Sequence, residues 1–140
     1  MGTWSDILDA SVAGTEDAPF VAALRLPTLD GWERGRVWTS WPVEREFLTP
    51  AVACLFGGYI AGLADHLLGL AVFTVLRDDE AFATTDLQVH FLRPVRDGVL
   101  GIVATVISRG RSSAYCEVSI TDANGVLVAR AAATQSIRSV

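Results

Sequence analysis

Residues 55–73, LFGGYIAGLADHLLGLAVF, constrain this chain more than any other stretch. Ile60, Leu63, Ala64, Leu67, Leu68, Ala71 and Val72 recur at the i, i+3, i+4, i+7 spacing that lays one apolar stripe along an α-helix. A second stripe at the same spacing holds Gly58, Gly62, Asp65 and Gly69. Glycine inside a helix costs roughly 0.5–1 kcal/mol relative to alanine. Three glycines around one acid therefore point to a face that something approaches closely, on a helix that is otherwise expected to be buried, Asp65 included. RDDE (77–80) reads as the end of this helix. Asp65 and His66 interrupt the apolar run, so it does not read as a membrane span.

The remaining sequence supplies strands to cover such a helix. WERGRVWTSWPV (32–43) is rich in bulky, β-favouring residues and reads as one strand, with Trp32, Trp38 and Trp41 as its packing residues. In TTDLQVHF (84–91) the residues alternate, which puts Thr85, Leu87, Val89 and Phe91 on one face and Thr84, Asp86, Gln88 and His90 on the other. The turns RPVRDG (93–98) and SRGRS (108–112) bound VLGIVATVI (99–107), whose apolar character suits a central strand. AYCEVSI (114–120), the hairpin signal DANG (122–125) and VLVARAAATQSI (126–137) complete the series. Ahead of all this, residues 3–12 suit a short helix capped by Thr3 or Ser5, and GTEDAP (14–19) is a break. One helix wrapped by an antiparallel sheet is an α+β architecture, and 140 residues fit a single domain over 1–140.

Composition excludes several functions. The net charge of −5 argues against a general affinity for nucleic acid or an anionic membrane. Cys54 and Cys116 lie in apolar runs with no CxxC and no nearby histidine cluster, so they read as free thiols, with no metal site. MGTWSDILDA lacks the basic and apolar regions of a secretory signal, and the protein is expected to be cytoplasmic.

Three motifs in order resemble the hotdog fold, and more narrowly the PaaI-type acyl-CoA thioesterases. FGGYIAGLAD (56–65) is similar to that family's HGG helix start with an acid further on. TTDLQVHFLRPVRDG (84–98) resembles its strand ending in F-x-R-P and a glycine turn. SRGRSSAYCEVSITDANGVLVARAAAT (108–134) resembles its last hairpin, preceded by a basic turn. The resemblance covers residues 19–137 and implies one long central helix wrapped by a five- to six-stranded antiparallel sheet. It implies acyl-CoA thioesterase activity, with Asp65 as nucleophile or general base, eight residues after Gly57. The backbone N–H at Gly57 would polarise the thioester carbonyl, and Thr84 would assist from its strand. Two positions depart from the pattern. Phe56 stands where the family has histidine. Pro50, or Thr49 with a one-residue shift, stands where it often has asparagine or glutamine.

These assignments make physical sense. The first N–H groups of a helix lack intrahelical partners and sit at the positive end of its dipole, and Gly57 with Gly58 leaves that end open. A carboxylate can attack directly or activate water. Eight residues of helix span roughly 12 Å, so Gly57 and Asp65 of one chain cannot both reach one carbonyl group. A symmetric dimer with two composite sites removes the difficulty, and the family also forms dimers of dimers. Arg93, Arg109 and Arg111, with Ser112 closing the turn, are candidates for contact with the phosphates of coenzyme A. Phe56 is a further substrate-contact candidate, and the acyl pocket is expected to be apolar and lined by the helix and neighbouring strands. The partner is then an acyl-CoA or acyl-carrier thioester. No cofactor is expected, because coenzyme A belongs to the substrate.

Each assignment has a structural alternative. Asp65 could be held by backbone N–H groups or an arginine, the glycines could serve packing, Thr84 could be a surface residue, and Arg109 and Arg111 could belong to a solvated turn. His66 points about 100° away from Asp65 around the helix and reads as a satisfied histidine. The competing functions are a hotdog hydratase or dehydratase and a non-catalytic acyl-CoA-binding module.

Overall fold

In the computed structural model, which describes residues 3–140, helix α1 (Trp4–Ala13) starts at a capping box. Thr3 Oγ1 accepts the Asp6 N–H, and the Asp6 carboxylate accepts the Thr3 N–H. Gly14 ends the helix at φ +74°, the left-handed conformation a helix C-terminus favours. Pro19 opens a short helix, α2 (Pro19–Ala23), that periodicity did not signal. The segment read as one strand is a hairpin. β1 (Gly31–Glu33) and β2 (Arg36–Pro42) are joined by a turn through Gly35 at φ +84°.

The long helix, α3 (Gly57–Phe73), is followed by β3 (Glu80–Phe91), β4 (Val99–Arg109), β5 (Ser113–Thr121) and β6 (Leu127–Ser139). All pairings are antiparallel, and the sheet order is β1-β2-β4-β5-β6-β3. The helix lies across the inner face of the sheet. Its seven apolar stripe residues are all buried, with Leu63, Leu67 and Leu68 inaccessible, against sheet residues such as Ile102, Val118 and Ala133. Both cysteines are free, and burial pushes the Cys116 thiol up to about 12. Among the described residues, no helix is long and apolar enough to cross a membrane.

Two boundaries differ from the sequence reading. The helix stops at Phe73 rather than at 77–80. From Thr74 the N–H groups bond three residues back rather than four, and Thr74 Oγ1 donates to the Ala71 carbonyl and accepts the Gly35 N–H, both at 2.7 Å. Glu80 then opens β3. Its buried carboxylate accepts the Arg77 N–H at 3.0 Å and Arg109 Nη2 at 2.5 Å. The Arg77 N–H first, then the bond from Arg109, hold that carboxyl below the usual glutamate range.

The second difference is a β-bulge. β3 pairs with β6 in register from Glu80↔Ser139 to Thr84↔Gln135, then resumes at Asp86↔Thr134, with Thr85 as the extra residue. Cross-strand partners share a face. Thr84 therefore lies on the helix-facing side with Gln135, not on the outer face with Asp86, Gln88 and His90. Simple alternation fails here because one inserted residue reverses every side chain on one side of it.

The burial pattern predicts a sharp contrast in unfolding experiments. Leu67→Ala removes about 2–5 kcal/mol of unfolding free energy, whereas Val52→Ala, on an exposed loop, changes it by less than about 0.5 kcal/mol. Urea denaturation followed by circular dichroism checks this.

Candidate active site

The loop ahead of α3 presents the helix start to solvent. The Phe56 N–H donates to the Phe47 carbonyl at 2.9 Å, and Leu48 pairs with Leu55 across the same loop. Phe56 is the N-cap residue, at φ −58° and ψ 126°, and no side chain caps the helix. The Tyr59 and Ile60 N–H groups both turn back to the Phe56 carbonyl, at 3.0 and 3.2 Å. Among the described residues, no acceptor takes the Gly57 or Gly58 N–H. Two donors are thus left at the positive end of a helix of 17 residues.

Side chains crowd this end. A Cβ on Gly57 would lie 3.3 Å from the Phe91 ring, and the Phe56 ring folds over Gly58. Gly57 lines a cavity of 320 Å³ with Cys54, Ile60, Phe91 and Arg93. Thr49 adjoins it: its N–H donates to the Cys54 carbonyl at 2.8 Å, and its Oγ1 lies 3.7 Å from Cys54 Sγ.

Asp65 is exposed, which corrects the expectation of a buried acid. The sheet covers the apolar stripe, and Gly58, Gly62 and Asp65 look away from it, while Gly69 faces the Phe82 ring of β3. Nothing lies within 4 Å of where a Cβ on Gly62 would be. Among the described residues the Asp65 carboxylate makes no hydrogen bond or ion pair. It lines a separate cleft of 480 Å³ with Glu16, Phe20, Gly69, Phe73 and Phe82. His66, beside it, places Nε2 3.1 Å from the Pro27 carbonyl oxygen and meets the Phe20 ring edge-on at 6.1 Å. Burial pushes the His66 imidazole below the ordinary value of 6.5, against the opposing pull of the Pro27 carbonyl, Glu16 and Asp65.

Helix α3 runs antiparallel to β3, with Gly57 against Phe91 and Gly69 against Phe82. Asp65 and Thr84 both fall between these two contacts. Thr84 is exposed at the sheet edge. Its cross-strand partner Gln135 is fully buried, with neither side-chain polar atom bonded among the described residues.

The arginines fall into two groups rather than one. Arg93 stands by Gly57. Arg109, Arg111 and Ser112 stand beyond the opposite end of α3, in a cleft of 610 Å³ that also holds Arg34, Arg77 and Arg138. Five of the chain's eleven basic residues line this one cleft. Arg109 is held there by Glu80 and by the Gly110 carbonyl, which ties it into the fold. Arg34, Arg77 and Arg138 were not singled out from the sequence, because no local motif links them to the 108–112 turn.

Residues 54–129 match the family described as the thioesterase superfamily. The chain belongs to the thioesterase superfamily. A protein of Saccharolobus solfataricus described as an esterase is 34% identical over 99 residues, 71% of this chain and 69% of that one. Among solved structures, a thioesterase of Haemophilus influenzae superposes with a TM-score of 0.81 at 22% identity, covering 99% of this chain and 92% of its own. A Ralstonia eutropha protein described as a thioesterase related to phenylacetic acid degradation gives a TM-score of 0.80 at 25% identity, covering 93% and 98%. The fold is the hotdog fold, and thioesterase-superfamily membership assigns the chain to the hydrolases of esters and thioesters.

The state of His66 has a measurable consequence. A histidine whose folded value is depressed supports stability fully above its unfolded value of 6.5, and that support is lost as pH falls through the folded value. Wild-type stability should therefore decline as pH drops below 6.5, and His66→Gln should flatten that decline. Urea midpoints across this range check it; parallel profiles for the two proteins would contradict it.

Proposed function

We propose that this thioesterase-superfamily chain hydrolyses acyl-CoA thioesters to a free acid and CoA, in a site shared by two copies and without a metal or cofactor. The observation that carries this reading is a separation. Among the described residues, a carboxylate without a partner and two helix-terminal N–H groups without acceptors lie roughly 12 Å apart along one helix. They line different cavities of the same chain.

The proposed chemistry follows from those groups. Asp65 takes a proton from water, and the resulting hydroxide attacks the thioester carbonyl carbon; direct attack by the carboxylate is the variant route. The oxyanion that forms accepts hydrogen bonds from the Gly57 and Gly58 N–H groups of the second copy. Collapse breaks the carbon–sulfur bond, and the CoA thiolate leaves, taking up a proton. Thr49, bonded to Cys54 of the Gly57 cavity, would orient water. Thr84, level with Asp65 on the helix-facing side of β3, assists from the strand. Arg93 and Phe56 flank the pantetheine arm, and Arg111 and Ser112 meet the phosphates.

The free edge of β3 supports pairing of two copies. It is 12 residues long, is the outermost strand, and carries neither lysine nor proline to block edge pairing. Edge-to-edge pairing about a twofold axis would join the two sheets and bring two α3 helices together through the open stretch around Gly62. A second reading, a binding module without turnover, draws on Phe56, which fills the space over Gly58 and offers no hydrogen bond.

Free-thiol release from a panel of acyl-CoAs tests the proposal. Wild type should turn over at least one substrate. Asp65→Asn should lose at least about a hundredfold in kcat while remaining folded. Turnover that survives the substitution removes Asp65 from the mechanism. No turnover with any substrate favours the binding module.

A further inference from the structure

The outward stripe of α3 is roofed over part of its length. Between Asp65 and Phe73 it faces the N-terminal segment rather than open solvent. Ile7 of α1 and Phe20 of α2 form one wall of the 480 Å³ cleft, and Phe82 of β3 forms another. This volume lies within the roughly 300–1,000 Å³ typical of small-molecule sites. The helix and neighbouring strands are the expected lining of the acyl pocket. Instead, most of the wall facing the helix comes from residues 7–21.

The walls are apolar and aromatic. Phe73 stacks on Trp4 at 4.7 Å and meets Phe82 edge-on at 5.4 Å. Gly69 keeps the floor low, since a Cβ there would lie 3.3 Å from the Phe82 ring. Phe20 remains 55% exposed, a large apolar side chain with a cleft on one side and water on the other. The charged groups lining the cleft are all acids: Glu16, Asp17 and Asp65. One Glu16 oxygen takes the Ala18 N–H at 2.7 Å, which fixes the carboxylate in place. The lowered histidine described above leaves His66 uncharged at neutral pH, so no cation offsets them.

We infer that the cleft between α3 and the N-terminal segment is the acyl chamber of the site, that Phe20 sets what fits, and that Glu16 and Asp17 exclude acyl groups ending in a carboxylate. The inference rests on the proposed role of Asp65, because the cleft is the space beside that carboxylate. The substrate class is then a thioester of an uncharged, apolar acid. A dicarboxylic half-thioester would bring a second negative charge against the acids already present, without a counter-ion. The same acids favour departure of the carboxylate product once the thioester is cleaved.

Binding of thioethers tests this without needing turnover. S-octyl-CoA and an S-carboxyalkyl-CoA of matched length are titrated calorimetrically into wild type, Phe20→Ala, Gly69→Leu and Glu16→Gln/Asp17→Asn. Wild type should bind the octyl compound at least about tenfold more tightly than the carboxylated one. Phe20→Ala, which removes a half-exposed side chain, and Gly69→Leu, which fills the floor, should each weaken octyl binding about tenfold. The double carboxylate variant should narrow the discrimination between the two ligands. Hydrolysis of octanoyl-CoA is measured on the same proteins. If turnover is absent but thioether binding shifts as stated, the chamber stands and the hydrolase reading fails. If turnover is present but Phe20→Ala and Gly69→Leu bind and hydrolyse as wild type does, the chamber is overturned. Equal affinity of wild type for the two thioethers, or binding of neither, also overturns it.

Discussion

The structure depends on the burial of one stripe of α3 against the inner face of the sheet. Leu63, Leu67 and Leu68 are completely enclosed there, each contributing roughly 1.5–3 kcal/mol by removal from water. Fixing this stripe fixes the helix in rotation. Asp65, Gly58 and Gly62 of the opposite stripe then look outward, whatever their own preferences. The N-terminus of the helix is set separately, by the Phe56–Phe47 and Leu48–Leu55 pairings of the loop just ahead of Gly57.

From that orientation the chemistry divides into stations along one rod. Free N–H groups stand at its start, a free carboxylate in its middle and an arginine-rich cleft beyond its end. A carbonyl group is far smaller than the spacing between the first two. This is a constraint of helical rise and not of side-chain choice. It makes association of two copies part of the catalytic proposal rather than an addition to it. The free edge of β3 and the open stretch of α3 around Gly62 are the two surfaces such an association would use.

Much of this was legible in the residues. The apolar period gave the helix, its rotation and the glycine–acid stripe, and alternation with turn residues gave the strands after it. What escaped was non-local or broke a period. The Thr85 bulge moves Thr84 to the helix side, and no turn residue marks it. Asp65 was expected to be buried because its neighbours are apolar, but burial of a helix face is decided by the sheet. The N-terminal segment has little periodicity, and its place over Asp65 depends on contacts such as Ser11 with Leu29 and Trp32 with Asp9 that no short window contains. The commitment of Arg109 to Glu80 similarly joins residues 29 positions apart.

The central claim is that the donor and the carboxylate of one working site come from different chains. Gly57→Pro removes the N–H at the first helical position, where the helix backbone and the extended Phe56 suit proline and the Phe91 ring has to shift by a few tenths of an ångström to make room. Asp65→Asn removes the carboxylate. The measurement is the thioesterase rate of the two inactive variants refolded together. A shared site predicts recovery to about a quarter of the wild-type rate, since about half the statistical dimers are mixed and each carries one intact site. A mixture no more active than its two components would place both groups in one chain's site and contradict the account.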